Sequence, residues 1–100
     1  MTINKTSNGS ELTLTLEGRL DTNSSPALET ELKTVLDEAG SLVFDLAELV
    51  YISSAGLRVL LMAQKAMNAK KGGMTIRNCS EDIMEIFNVT GFIDILSIED

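Results

Sequence analysis

The run "SLVFDL", Ser41 to Leu46, constrains this chain more than any other stretch. Its apolar residues are nearly continuous, the pattern of a strand buried on both faces, and such strands lie at the centre of parallel arrangements covered by helices. It points to an α/β fold rather than an all-β one.

The flanking segments fit that frame. In "ELTLTLEG", Leu12, Leu14 and Leu16 fall on one face and Thr13, Thr15 and Glu17 on the other, so a half-buried strand is expected. A shorter strand, "TINKT", precedes it, and the Asn8-Gly9 pair between them suits a turn that needs positive φ. The chain is therefore expected to open as a β-hairpin. A first helix is expected to start with Ser25 as N-cap and Pro26 just inside, to carry the stripe Leu28, Leu32, Val35 and Leu36, and to end near Gly40. A second runs from about Ser54 to Lys70, with Leu60, Ala63 and Met67 at the centre of its apolar side, Leu61 and Met62 flanking, and Arg58 and Lys65 in water. "KKGG" closes it with basic residues and then glycine as a stop. "MTIRN" reads as a strand, Ser80 caps a third helix through about Phe87 with Glu81 and Asp82 in its first turn, and "IDILSI" reads as a last strand. Strand and helix alternate after the hairpin, so residues 1–100 are expected to form one domain, a mostly parallel or mixed sheet with helices packed on it.

Charge and missing residue types exclude several functions. Fifteen acidic residues against eight basic ones give a net charge of −7, which disfavours nucleic acid and anionic membranes as partners. Cys79 is alone, so no intrachain disulfide is expected and a reducing cytoplasm fits. "MTINKTSNGS" lacks a basic start followed by an apolar run, and nowhere do about eighteen apolar residues follow one another, so neither export nor membrane insertion is expected. There is no histidine to accept a serine proton, and Lys65, Lys70 and Lys71 lie too far along the second helix to form a dyad with Ser53 or Ser54. Neither glycine-rich phosphate-binding spacing occurs, and Asp21 and Asp45 have no histidine or cysteine partner for a metal. No enzyme activity, cofactor or metal is expected.

What remains is "ELVYISSAGLRVLLMAQKA", Glu48 to Ala66, where two serines stand between an extended run and a helix. A serine there caps the helix by giving an unpaired N–H a partner, worth about 1 kcal/mol. A phosphate on it would rest on exposed N–H groups at the positive end of the helix, adding charge without unfolding the domain. Asp21 and Asp45 are each expected at the carboxyl end of a strand, the edge where parallel sheets bind ligands and partners, although both also suit simple turn closure. Arg58 and Met62 are near enough to Ser54 to serve as partner contacts.

"DLAELVYISSAGLRVLLMA", Asp45 to Ala63, resembles the central motif of the anti-sigma factor antagonist branch of the STAS family (sulphate transporter and anti-sigma factor antagonist). "EGRLD", Glu17 to Asp21, is similar to the family's earlier Gly-x-apolar-Asp segment, and "IFNVTGFIDIL", Ile86 to Leu96, to its C-terminal helix-to-strand passage. The resemblance covers nearly the whole chain and implies a STAS-like domain. It implies a partner-switching regulator of sigma-factor-dependent transcription. Unmodified, such a protein binds an anti-sigma factor that is also a serine kinase; phosphorylation ends the binding and a PP2C-type phosphatase resets it. The serine two positions before Gly56-Leu57 is Ser54, with Ser53 the alternative, and the implied binding face comprises Asp21, Asp45, Ser53, Ser54, Ala55, Gly56, Arg58 and Met62. Many members carry aspartate before the target serine and serine or threonine after it, where this chain has Ser53 and Ala55. The family also offers a second role, a constitutive interaction subunit of a transporter or other signalling complex.

Overall fold

In the computed structural model, which describes residues 1–99, the chain forms β1 (Thr2–Asn8), β2 (Glu11–Leu20), α1 (Ser25–Val35), β3 (Ser41–Ile52), α2 (Ser54–Ala69), β4 (Gly73–Arg77) and α3 (Glu81–Thr90), followed by a 3-10 turn, Phe92–Asp94. The four strands make one sheet in the order β1-β2-β3-β4. β1 runs antiparallel to β2, and β2, β3 and β4 are mutually parallel neighbours, so the sheet is mixed and opens with the expected hairpin. Asn8 pairs with Glu11, which makes Gly9 and Ser10 the central turn residues rather than Asn8 and Gly9. Gly9, at φ +65°, supplies the positive φ at the first central position, where a two-residue turn of this kind requires glycine.

The alternation of β2 holds, with Leu12, Leu14, Leu16 and Leu20 all buried. Leu42, Phe44, Leu46, Leu49 and Ile52 from β3 join them beneath Leu28 and Leu32 of α1, Leu60, Ala63 and Met67 of α2, and Ile83 and Phe87 of α3. Each such leucine removed from water contributes about 1.5–3 kcal/mol before chain entropy is counted. With only four aromatic residues available, this aliphatic core holds the layers together.

Several boundaries differ from the expectations. Ser25 is not the N-cap of α1. It is buried in the first turn, where its hydroxyl donates to the carbonyl of Asp21 at 2.6 Å. Ser24 takes the cap position without a side-chain bond to the helix, and α1 ends at Val35, well before Gly40, with Leu36 only half-buried. Lys70 finishes that end, its ammonium donating to the carbonyls of Leu36 (2.6 Å) and Asp37 (3.1 Å). The left-handed residue after α2 is Lys71, at φ +61°, not a glycine. Gly72 is demanded by packing instead, since a Cβ there would lie 2.6 Å from Met67 Cε and 2.7 Å from the carbonyl oxygen of Gly40. α3 runs on to Thr90 because Gly91, at φ +81°, is the first residue suited to a left-handed cap. "IDILSI" forms no strand. The 3-10 turn consumes its first residues, and only Ile98 makes a bridge, to Ile76 at the outer edge of β4.

β3 departs most from its sequence pattern, extending twelve residues to Ile52. Thr15 pairs with Asp45 but Glu17 with Glu48, and Gly18 pairs with Leu49 but Arg19 with Tyr51. β3 thus carries one extra residue at each of two register shifts, the signature of bulges. Gly18, at φ +99°, sits at the second shift. Asp45 accordingly lies in the middle of β3 and not at its carboxyl end, although it is the last β3 residue paired to β4.

Candidate functional site

The loop from β3 into α2 is fixed by backbone contacts to β2. The N–H of Ser53 donates to the carbonyl of Leu20 at 2.9 Å, joining the last residue of β2 to the N-cap of α2. Gly56 permits that approach. A Cβ on it would stand 2.7 Å from Leu20 Cγ and 2.9 Å from both Ile52 Cγ1 and the Leu20 carbonyl oxygen. The start of α2 therefore rests directly on the carboxyl edge of the sheet, beside the turn that begins with Asp21.

The two serines divide the work. Ser53, at φ −97° and ψ 175°, is the cap: its hydroxyl oxygen accepts the N–H of Gly56 at 3.4 Å and its carbonyl accepts the N–H of Leu57 at 2.9 Å. Ser54 is the first residue of the helix and is exposed, and its hydroxyl has no hydrogen-bond partner among the described residues. No acidic residue occupies the first turn of α2, whereas α3 places Glu81 and Asp82 in its own. The partial positive charge at the start of α2, about half an elementary charge, is left uncompensated by side chains of that turn.

Asp21 closes the neighbouring turn. Its Oδ1 accepts the N–H groups of Asn23 (3.0 Å) and Ser24 (3.1 Å), and the Ser24 hydroxyl donates onward to the carbonyl of Arg19 at 2.7 Å. The N–H of Ser24 above all, with the Asn23 N–H and the Arg19 charge, outweighs desolvation and holds the Asp21 carboxyl below its usual range. Arg19, which sequence reasoning passed over, lies 4.3 Å over the Tyr51 ring and 3.8 Å from the Asp21 carboxylate. Nothing in the sequence signalled that contact, because the two bulges are what bring residues 19 and 51 level.

Asp21, Ser53, Ser54, Ala55 and Arg58 thus share one end of the sheet, where Ala55 and Arg58 line a cleft of about 360 Å³ with Thr22, Ser25, Pro26 and Glu29. Gly56 belongs to the same turn but is buried beneath it, and half-buried Met62 lies eight residues along α2, roughly 12 Å away. Asp45 is not part of this group. Six residues of β3 lie between it and Ile52, a span of roughly 17 Å matched to the five-residue advance of β2, and its Oδ1 accepts the Ala47 N–H and the Asn78 amide, each at 3.1 Å. It closes no turn, contrary to what its residue type suggested; it sits inside β3 at the first register shift and accepts the N–H two residues on within the strand.

Among the described residues no three His, Cys, Asp or Glu side chains gather to hold a metal. Burial pushes the half-buried Cys79 thiol up to about 11, so it stays protonated at neutral pH. No helix among the described residues is long and apolar enough to cross a membrane.

The pattern of the STAS domain matches residues 2–100. The chain is 33% identical over 84 residues to BtrV of Bordetella bronchiseptica, named as a candidate anti-sigma factor antagonist, covering 83% of this chain and 72% of that protein. It is 28% identical over 91 residues to the anti-sigma-B factor antagonist of Bacillus subtilis, covering 91% of this chain and 84% of that one. The fold is similar to the anti-sigma factor antagonist SpoIIAA in its unphosphorylated form (TM-score 0.79, 15% identity, 99% of this chain and 88% of that one). It is equally similar to phosphorylated SpoIIAA (TM-score 0.78, 15% identity, 99% and 92%).

Proposed function

Because this chain belongs to the STAS domain family, we propose that it acts, as one domain over residues 1–100, as an anti-sigma factor antagonist switched by phosphorylation of Ser54. Unmodified, it binds an anti-sigma factor that is also a serine kinase and so releases the sigma factor. Phosphorylated, it lets go, until a PP2C-type phosphatase removes the phosphate. It works by binding rather than catalysis, in the cytoplasm. Asp21, Ser53, Ser54, Ala55, Arg58 and Met62 form the contact face, Gly56 sets the height of the helix beneath it, and Asp45 orders the strand that leads there.

One observation carries this reading: the capping duty falls to Ser53, so Ser54 keeps a free, exposed hydroxyl at an uncompensated helix start. Phosphate adds about −1.5 to −2 charges and three acceptor oxygens at that spot, and within an interface it opposes binding through desolvation and repulsion from the partner's carboxylates. No rearrangement of the fold is required, and the equal likeness to both forms of SpoIIAA supports that view.

The test is incubation with the candidate kinase and ATP, comparing wild type with Ser54→Ala by intact mass, followed by affinity measurements on Ser54→Asp. Modification of wild type alone is expected, together with a loss of affinity of about 100-fold for Ser54→Asp, equivalent to about 2.8 kcal/mol. Ser53→Asp, which restores the residue many relatives carry, should bind like wild type. Equal affinities for wild type and Ser54→Asp would end the switch and leave a constitutive interaction subunit.

A further inference from the structure

Building on the modification of Ser54, we infer that Arg58 receives the phosphate within the same helix and that modification thereby withdraws Arg58 from the partner. Ser54 and Arg58 are both exposed and stand four residues apart in α2. Residues so spaced share a face with Cβ atoms about 5–6 Å apart, and because Cα–Cβ bonds tilt toward the helix N-terminus, an arginine leans back over the preceding turn. The order matters as well: an anion preceding a cation by four residues is the favourable arrangement.

The charges nearby leave Arg58 available. Ion pairs join Lys5 to Glu31, Arg19 to Asp21, Lys33 to Glu29 and Arg77 to Glu99, and none involves Arg58 among the described residues. Glu29, the acid that lines the cleft with Arg58, is engaged by Lys33 at 3.3 Å. Arg19, the other cation at this end, is held between Asp21 and the Tyr51 ring. In the unmodified chain, Arg58 offers its planar fork of donors to a carboxylate of the partner. The kinase then moves the γ-phosphoryl group of ATP to Ser54 Oγ, the O–P bond forming as the bond to ADP breaks and the hydroxyl proton passing to a general base of the kinase. The new dianion takes the guanidinium for itself. One modification removes a positive contact and adds a negative obstacle.

The test places phosphoserine at position 54 during translation, so that no kinase is needed, and follows its second ionisation by phosphorus NMR. In Arg58→Ala the phosphate pKa is expected to lie about 0.3 of a pH unit or more above that of the otherwise native chain, the scale of a helical ion pair. Arg58→Lys should fall between them, and the differences should shrink in high salt. Equal values in all three chains overturn the pairing and leave the switch intact. Partner affinity is measured on the same chains, and a shift seen while phosphoserine at position 54 leaves that affinity unchanged keeps the pairing but overturns both the withdrawal of Arg58 and the switch.

Discussion

Replacing Gly56 by alanine tests the geometry on which the whole site rests. The new Cβ would meet Leu20 Cγ at 2.7 Å and Ile52 Cγ1 and the Leu20 carbonyl oxygen at 2.9 Å. These distances are roughly 0.6–0.8 Å inside the separation at which carbon atoms rest comfortably. None of the three neighbours yields easily: Leu20 and Ile52 are fully buried side chains, and the carbonyl is held by the Ser53 N–H at 2.9 Å. The start of α2 must lift instead. Overpacking of this kind costs about 1–3 kcal/mol and stretching the Ser53 bond adds up to about 1, while the better helix propensity of alanine returns up to about 1. A net loss of about 1–3 kcal/mol is expected, which for a chain of this size lowers Tm by on the order of 5–20 °C. Urea unfolding measures it as a fall in midpoint at constant slope. Gly73→Ala is the control, because its Cβ would meet nothing within 4 Å, and it should stay within about 0.5 kcal/mol of wild type. A Gly56→Ala protein as stable as wild type would refute the close seating of α2 on β2.

Two further outcomes concern the caps and turns. Ser80→Ala should cost about 1 kcal/mol in urea unfolding by removing the bond from Ile83 N–H (3.2 Å), and Ser53→Ala should cost less because its bond from Gly56 N–H is longer (3.4 Å); the reverse order would assign the stronger cap to Ser53. The N–H groups of Ser24 and Asn23 hold the folded Asp21 carboxyl below the usual carboxylate range, so its contribution to stability is present above the unfolded value and is lost as pH falls through the lower folded one. Asp21→Asn should therefore be less stable at neutral pH and flatter below about pH 4, and parallel pH–stability curves for the two proteins would contradict the role given to its hydrogen bonds.

The parts of this fold governed by a regular period could be read directly from the residues. Leu12, Leu14 and Leu16 alternate and are buried; Leu60, Ala63 and Met67 share a helical stripe and are buried. Where two local rules competed, the boundary moved. Ser24, Ser25 and Asp21 are all able to terminate a helix, and burial of Ser25 against the Asp21 carbonyl decided among them. The far half of β3 was harder still, since Leu46, Leu49 and Ile52 are buried at intervals of three, a spacing that belongs neither to a strand nor, over so short a run, to a helix. Bulges produce that spacing and leave no mark of their own in composition. The serine pair was legible as a site, but the division between Ser53 as cap and Ser54 as free hydroxyl required the backbone angles.

Those bulges also determine which changes in chain length this architecture tolerates. Between the Thr15–Asp45 and Leu20–Ile52 pairs, β2 advances five residues and β3 advances seven. Each bulge sets two residues of β3 against one of β2, so the two surplus residues add no length along the sheet, and excising either straightens β3 while Ile52 stays opposite Leu20 and Ser53 stays beside it. Insertions before Ser41 or after Lys71 lengthen loops at the opposite end of the sheet and leave the serines in place. Between Asp45 and Ser53 the serines keep their place only while the register with β2 is kept, so a change of length there is absorbed at a bulge or else displaces them.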